Sequence, residues 1–178
     1  AKINKALWKA VENGQLSQQD LKRLRFKQWV EHEQLALDPD ELANDFVEGL
    51  SQGHFLVADS EEVIHSLSRS YRLAIITNGI AEVQKSRLAK SSIGPYFEHV
   101  YISEAIGYSK PDKRFFEWVI HDLGIENKKD ILIIGDSVAS DMVGGHNLGI
   151  DTCLFSVKGE TSPYATFVIT SLKELLLR

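Results

Sequence analysis

Apolar positions recur at helical spacing up to about residue 58 and in short unbroken runs after it, so the chain changes its period once along its length. In the first stretch a helix ends near Gly14, and Ser17 with Asp20 three residues on has the form of a capping box that opens a second helix. Leu21, Leu24, Trp29 and Val30 give this second helix its apolar stripe. Asp38 is placed to cap a third helix, with Pro39 in its first turn and Glu41 at the third position, and Leu42, Phe46 and Leu50 recur every four residues. Residues 1–57 therefore read as a small helical unit of amphipathic helices, with Trp8 and Trp29 expected in its core.

From residue 58 onward the runs Leu73 to Thr77, Val100 to Ser103, Ile131 to Gly135, Thr152 to Phe155 and Phe167 to Ile169 have the length and continuity of strands buried on both faces. Helical stretches separate them. One is capped by Ser60 and carries Val63, Ile64 and Leu67; a clearer one is opened by Pro111, ends near Gly124 and packs Trp118 toward the sheet. Strands and helices alternating in this way predict an α/β domain with a parallel sheet over residues 58–178. No repeat, low-complexity tract or flexible Gly/Ser linker interrupts the pattern.

Composition narrows the function classes. A chain of 178 residues can bury a core without disulfides, and its single cysteine, Cys153, lies in the apolar run Asp151-Thr152-Cys153-Leu154-Phe155, where a reduced core thiol is expected. The formal net charge of −5, with both signs interspersed, excludes a nucleic-acid polymer as partner but leaves room for a small phosphorylated metabolite, which needs only a few local cations. No run approaches the ~18 apolar residues that span a bilayer, and Ala1-Lys2-Ile3-Asn4-Lys5 lacks the apolar centre of a signal peptide. A cytoplasmic monomer or homodimer without membrane contact is expected. His32, His54, His65, His99, His121 and His146 show no paired metal spacing, and no Gly-x-Ser-x-Gly turn follows a strand.

Parallel sheets place ligands at the carboxyl ends of their strands, so polar residues at strand tips carry the chemistry. The run Ala74-Ile75-Ile76 ends in Thr77-Asn78-Gly79, which offers a hydroxyl and turn amides to an anion. After Tyr101-Ile102-Ser103 comes Gly107-Tyr108-Ser109-Lys110-Pro111-Asp112, where a lysine fixed ahead of a helix suits a phosphoryl group. The most specific tip is Ile131-Leu132-Ile133-Ile134 running into Gly135-Asp136-Ser137-Val138-Ala139-Ser140-Asp141. Two carboxylates so placed can face one hard cation, and Mg2+ fits because it takes one or two carboxylates and completes its shell with water and phosphate oxygens.

The order Thr77, Lys110, Asp136, Asp141 resembles the second, third and fourth motifs of the haloacid-dehalogenase superfamily of phosphohydrolases. Ile76-Thr77-Asn78-Gly79 together with Gly107-Tyr108-Ser109-Lys110-Pro111-Asp112 is similar to the pyrimidine 5′-nucleotidase branch, and residues 1–57 look like the small α-helical cap that these enzymes insert after their first strand. The resemblance implies a Rossmann-like core and magnesium-dependent hydrolysis of small phosphomonoesters, nucleoside 5′-monophosphates among them. It implies that Thr77 and the Asn78 and Gly79 amides bind phosphoryl oxygens, that Lys110 balances their charge, and that Asp136 is a metal ligand. Asp141 would either hold a metal-bound water or position Lys110.

One part of the family pattern is not found in residues 1–178: the first motif, an apolar strand ending in two aspartates two residues apart, nucleophile and general acid. Asp38 and Asp40 have that spacing but flank Pro39 at a helix start, and Asp59 has no second aspartate at the right distance. The family places this strand between those ending at Thr77 and Gly135, so a sheet without it would expose two edges. The expectation is a catalytic strand upstream of Ala1 or lost from the chain, with residues 1–178 alone inactive and poorly folded. The other readings are a metal-independent dehalogenase on the same fold and a non-catalytic relative that binds a phosphorylated ligand.

Overall fold

A computed structural model describes residues 2–12 and 14–177. In chain order the elements are α1 (Lys2–Glu12), α2 (Gln18–Glu33), α3 (Pro39–Gln52), α4 (Ser60–Leu67), β1 (Ala74–Thr77), α5 (Ala81–Lys90), β2 (His99–Ile102), α6 (Ser103–Ile106), α7 (Lys113–Asp122), β3 (Leu132–Gly135), α8 (Val143–Asn147), β4 (Asp151–Phe155) and β5 (Phe167–Ile169). The chain forms two compact units, Ala1–His54 with Gly79–Lys90, and Phe55–Asn78 with Ser91–Arg178.

The helical unit is built as its caps predict. Ser17 accepts from the Asp20 amide at 3.0 Å, and Asp38 accepts from the Asp40 amide at 2.8 Å, so each helix starts on a side chain that satisfies an otherwise orphaned N–H. Leu7, Val11 and Leu21 form the core, with Ile3, Trp8, Leu16 and Leu24 packed on it. Trp29 departs from expectation. It is 39% exposed, because Leu21 and Leu24 fill the core and the stripe turns outward by the end of α2. The carboxyl end of α3 carries no basic residue of its own, and α5 supplies the donors: Ser86 bonds the Ser51 carbonyl at 3.0 Å and Arg87 the Gly53 carbonyl at 2.7 Å.

In the second unit every strand neighbour is parallel. β1 pairs with β2, aligning Ala74 with His99 and Thr77 with Ile102, and β4 lies between β3 and β5. All five predicted strands are present, in two sheets divided between β1 and β3, where the first-motif strand was expected. Among the described residues β1 is paired only with β2 and β3 only with β4 and β5 beyond it, so one edge of each is open. On β3, Ile133 is 5% exposed while Leu132 and Ile134 are 43% and 40% exposed. What unites the two sheets on the buried face is α7: Phe115, Phe116 and Val119 cluster with Tyr101, Ile133 and Ile150, and Ala74 and Ile76 pack against them. A separate cluster joins Val63 of α4 to Cys153, Ile169 and Leu175, which places Cys153 in the core as expected.

Two helix starts differ from the expected ones. Ser60 is the first residue of α4 and donates its hydroxyl back to the Val57 carbonyl at 2.6 Å, while Asp59 precedes it in the left-handed region at φ 65°. The helix after Pro111 starts two residues later than proline alone suggests, because Asp112 accepts from the Arg114 amide at 2.9 Å and caps it there.

Candidate active site

Lys110 is the centre of the strand-tip constellation. α6 ends at Gly107, whose φ of 87° turns the chain back, and the segment then runs to the cis Lys110–Pro111 bond. Asn78, just past β1, grips this segment with both ends of its amide: its Nδ2 donates to the Lys110 carbonyl at 2.7 Å, and its Oδ1 accepts from the Lys110 N–H at 2.8 Å. The lysine backbone is thus tied to the tip of β1. Its Nζ donates to the Ile76 carbonyl at 2.9 Å and to Asp141 Oδ1 at 2.6 Å. Both side chains of the ion pair are 8% exposed. Two of the three ammonium protons are therefore engaged, and the third is available to a ligand.

Asp141 is positioned by the turn after β3. The segment Val138–Met142 is a single π-helical turn, with Ser137 accepting from the Ser140 amide at 3.2 Å and the Asp141 amide bonding the Ser137 carbonyl at 3.0 Å. The Ser137 N–H in turn reaches Asp141 Oδ2 at 3.3 Å. Gly135 is required by this arrangement, since a Cβ there would overlap the Asp141 carboxylate. Asp141 thus meets Lys110, which is one of the two roles left open for it.

Asp136 stands apart from this pair. It is exposed at the tip of β3, and its carboxylate has no side-chain partner among the described residues. Thr77 is half-buried at the tip of β1, and Gly79 is buried, its missing Cβ making room for the Gln84 side chain. No group of three or more His, Cys, Asp or Glu side chains gathers among the described residues. The donor set is thus one free carboxylate, Asp136, and a second, Asp141, already on a lysine. That set fits magnesium, which draws most of its shell from water and phosphate, and fits poorly a cation that needs an all-protein cage.

Two neighbouring groups titrate away from their ordinary values. Burial, with the bond its hydroxyl donates to Asp122 at 2.8 Å, pushes the Tyr101 phenol up to about 12. The Arg114 guanidinium holds the Asp112 carboxyl below the usual carboxylate range. Three contributors were missed in the sequence: the Asn78 amide clamp, the Ile76 carbonyl and Gly135. Of these only Gly135 left a signal, as a glycine closing an otherwise apolar strand immediately before Asp136.

Comparison with known proteins bears on what these residues serve. Pyrimidine 5′-nucleotidase PynA of Streptococcus pneumoniae is 35% identical over 98% of this chain and 75% of its own length. Pyrimidine 5′-nucleotidase YjjG of Escherichia coli is 29% identical over 97% of this chain and 77% of its own. The crystal structure of the HAD-hydrolase YfnB of Bacillus subtilis, bound to magnesium, superposes with a TM-score of 0.92 at 31% identity, covering 99% of this chain and 78% of that one. The sequence pattern of the haloacid dehalogenase-like hydrolases matches residues 10–155, and the chain belongs to that family.

Proposed function

We propose that Thr77, Lys110 and the backbone amides of Asn78 and Gly79 bind the phosphoryl group of a small phosphomonoester, a pyrimidine nucleoside 5′-monophosphate, and that Asp136 with Asp141 holds magnesium beside it. Residues 1–57 are then the helical cap and 58–178 the core of a cytoplasmic phosphomonoesterase, as a monomer or homodimer. The observation that carries this reading is the Lys110 ammonium, buried and held by Ile76 and Asp141 with one proton left to donate.

Charge decides how the parts share the work. Lys110 and Asp141 cancel, so their pair offers direction more than net charge to a phosphate dianion. Asp136 would hold magnesium there, and the ion would supply positive charge to a transferring phosphoryl group. Thr77 adds a hydroxyl donor at the β1 tip, and Asn78 keeps Lys110 from swinging away through its two bonds. A metal-independent dehalogenase would not need Asp136 and Asp141 as a pair of magnesium carboxylates. The attacking group is not assigned to any of these residues.

Calorimetric titration with inorganic phosphate and uridine 5′-monophosphate, with and without magnesium, tests the proposal. Lys110→Ala should weaken phosphate binding by about tenfold or more while magnesium still binds. Asp136→Asn should remove the gain in affinity that magnesium brings. Phosphate bound as tightly by Lys110→Ala as by the parent would reduce Lys110 to a structural ion-pair partner.

A further inference from the structure

The helical unit holds a cation for which the described residues provide no anion. Two residues before it on α2, Arg23 is paired with Asp40, its Nε donating to Oδ1 at 2.7 Å. The Arg25 guanidinium instead sits 4.7 Å from the Phe46 ring centre and 5.6 Å from that of Phe26. Rings attract its charge but give its N–H groups no lone pair, and its Nε is buried without a hydrogen-bond partner. The two arginines accordingly titrate in opposite directions: the bond to Asp40 raises Arg23, while burial lowers Arg25 and no carboxylate among the described residues opposes it.

A cavity of about 140 Å³ opens beside it, with Arg25 in its wall together with Ile3 and Asn4 of α1 and Phe26 and Trp29 of α2. Trp29 follows Arg25 by four residues and shares its face of the helix. A cavity of about 150 Å³ accepts benzene, so the space here is that of one six-membered ring. The wall also decides which anion fits. A tetrahedral phosphate on Arg25 would press its remaining oxygens against Ile3, Phe26 and Trp29, where nothing pairs them. A carboxylate has only two oxygens, both of which a guanidinium edge can take, and the rest of such a molecule can be apolar.

We propose that this cleft binds a small aromatic monocarboxylate, its carboxylate on the Arg25 guanidinium and its ring against Trp29. Neither a neutral ring nor a bare anion satisfies both halves of the wall. The site is built from α1 and α2 alone, so it asks nothing of Lys110 or Asp136 and stands or falls without the phosphoryl chemistry proposed above. Its occupant is a ligand of the helical unit in addition to the phosphomonoester.

The test is an NMR titration of the 15N-labelled protein with three probes: benzoate, benzyl alcohol, which has the ring without the charge, and inorganic phosphate, which has charge without the ring. Benzoate should shift the Arg25 Nε–H and Trp29 indole signals together, with a Kd on the order of 1 mM, as suits a ligand of about nine heavy atoms. Benzyl alcohol and phosphate should bind there at least about tenfold more weakly, and saturating phosphate with magnesium should leave benzoate in place. Arg25→Met keeps the apolar stem and should weaken benzoate binding by about tenfold or more. Benzoate at about 20 mM that moved neither signal would overturn the proposal, as would benzyl alcohol or phosphate bound there as tightly as benzoate. Displacement of benzoate by phosphate and magnesium would also overturn it, by putting the acid in the phosphoryl site. All three comparisons use the parent protein, so they decide the matter even if Arg25→Met fails to fold; a folded Arg25→Met protein that kept full benzoate affinity would overturn the proposal as well.

Discussion

Lys110 and Arg25 are both cations drawn away from water, and their surroundings treat them differently. Lys110 meets a strand carbonyl at 2.9 Å and a carboxylate at 2.6 Å, while Arg25 meets two aromatic faces and leaves its Nε unpaired. The difference follows from the two architectures. Parallel strands end together, so carbonyls at their tips and side chains on the turns that follow converge on one point. Inside a helix every carbonyl is already bonded four residues on, and a cation between helices finds few acceptors other than π faces.

Removing a partner should show this contrast at its largest. Asp141→Ala leaves the Lys110 charge buried and uncompensated, which should cost about 3–5 kcal/mol of stability. Arg25→Met keeps the apolar stem and deletes the unpaired donor. Its loss of cation–π attraction, about 0.5–1 kcal/mol, is offset by relief of an unsatisfied group, so stability should stay within about 1 kcal/mol of the parent. Urea unfolding of both variants checks the pair. An Arg25→Met protein as damaged as Asp141→Ala would mean that Arg25 is already satisfied in solution.

The same contrast separates what could be read from the sequence from what could not. Buried parallel strands announce themselves as unbroken apolar runs, so β1 to β5 were all legible, and Thr77, Lys110 and Asp136 stood out as polar residues at their tips. The haloacid dehalogenase-like family was legible from the same residues. The split between β1 and β3 was expected too, from the first-motif strand that the family places between them, whereas the role of Asn78 was not legible, because it reads as an ordinary turn residue until its amide is seen on Lys110. Arg25 was hidden for a further reason: a charged residue at a helical position reads as solvated surface, and only the rings of Phe26 and Phe46 show otherwise.

Tyr101 tests a milder case of the well-partnered kind. Its ring is 5% exposed and its hydroxyl donates to Asp122, so Tyr101→Phe should cost about 1 kcal/mol. The folded value of about 12 lies above the unfolded one of 10.0. A value raised on folding means stability fully present below the unfolded value and lost as pH rises between the two. Unfolding followed from pH 9 to pH 12 should show that alkaline decline in the parent, and Tyr101→Phe should flatten it.

Asp112 gives the smallest effect, because its two tasks can be separated. It caps α7 through the Arg114 amide, and it pairs with the Arg114 guanidinium, which also lies 4.4 Å from the Tyr108 ring centre. Asparagine caps about as well as aspartate, so Asp112→Asn keeps the first task and removes only the charge. The Arg114 side chain is 59% exposed and that of Asp112 29%, so water screens the pair, and the cost should fall in the lower part of about 0.2–1 kcal/mol. The sign of the pH effect is opposite to that of Tyr101. Asp112 is depressed on folding, so its contribution is present above the unfolded value of 3.8 and is lost as pH falls through the lower folded value. Acid unfolding of the parent should therefore show a small loss below pH 4 that Asp112→Asn lacks, while Asp112→Ala should lose about 1 kcal/mol more at neutral pH through the missing cap. If Asp112→Asn were as damaging at neutral pH as Asp141→Ala, the exposed pair ahead of α7 would have to count as much as the buried one on Lys110, and burial could not be what distinguishes the strand-tip cation.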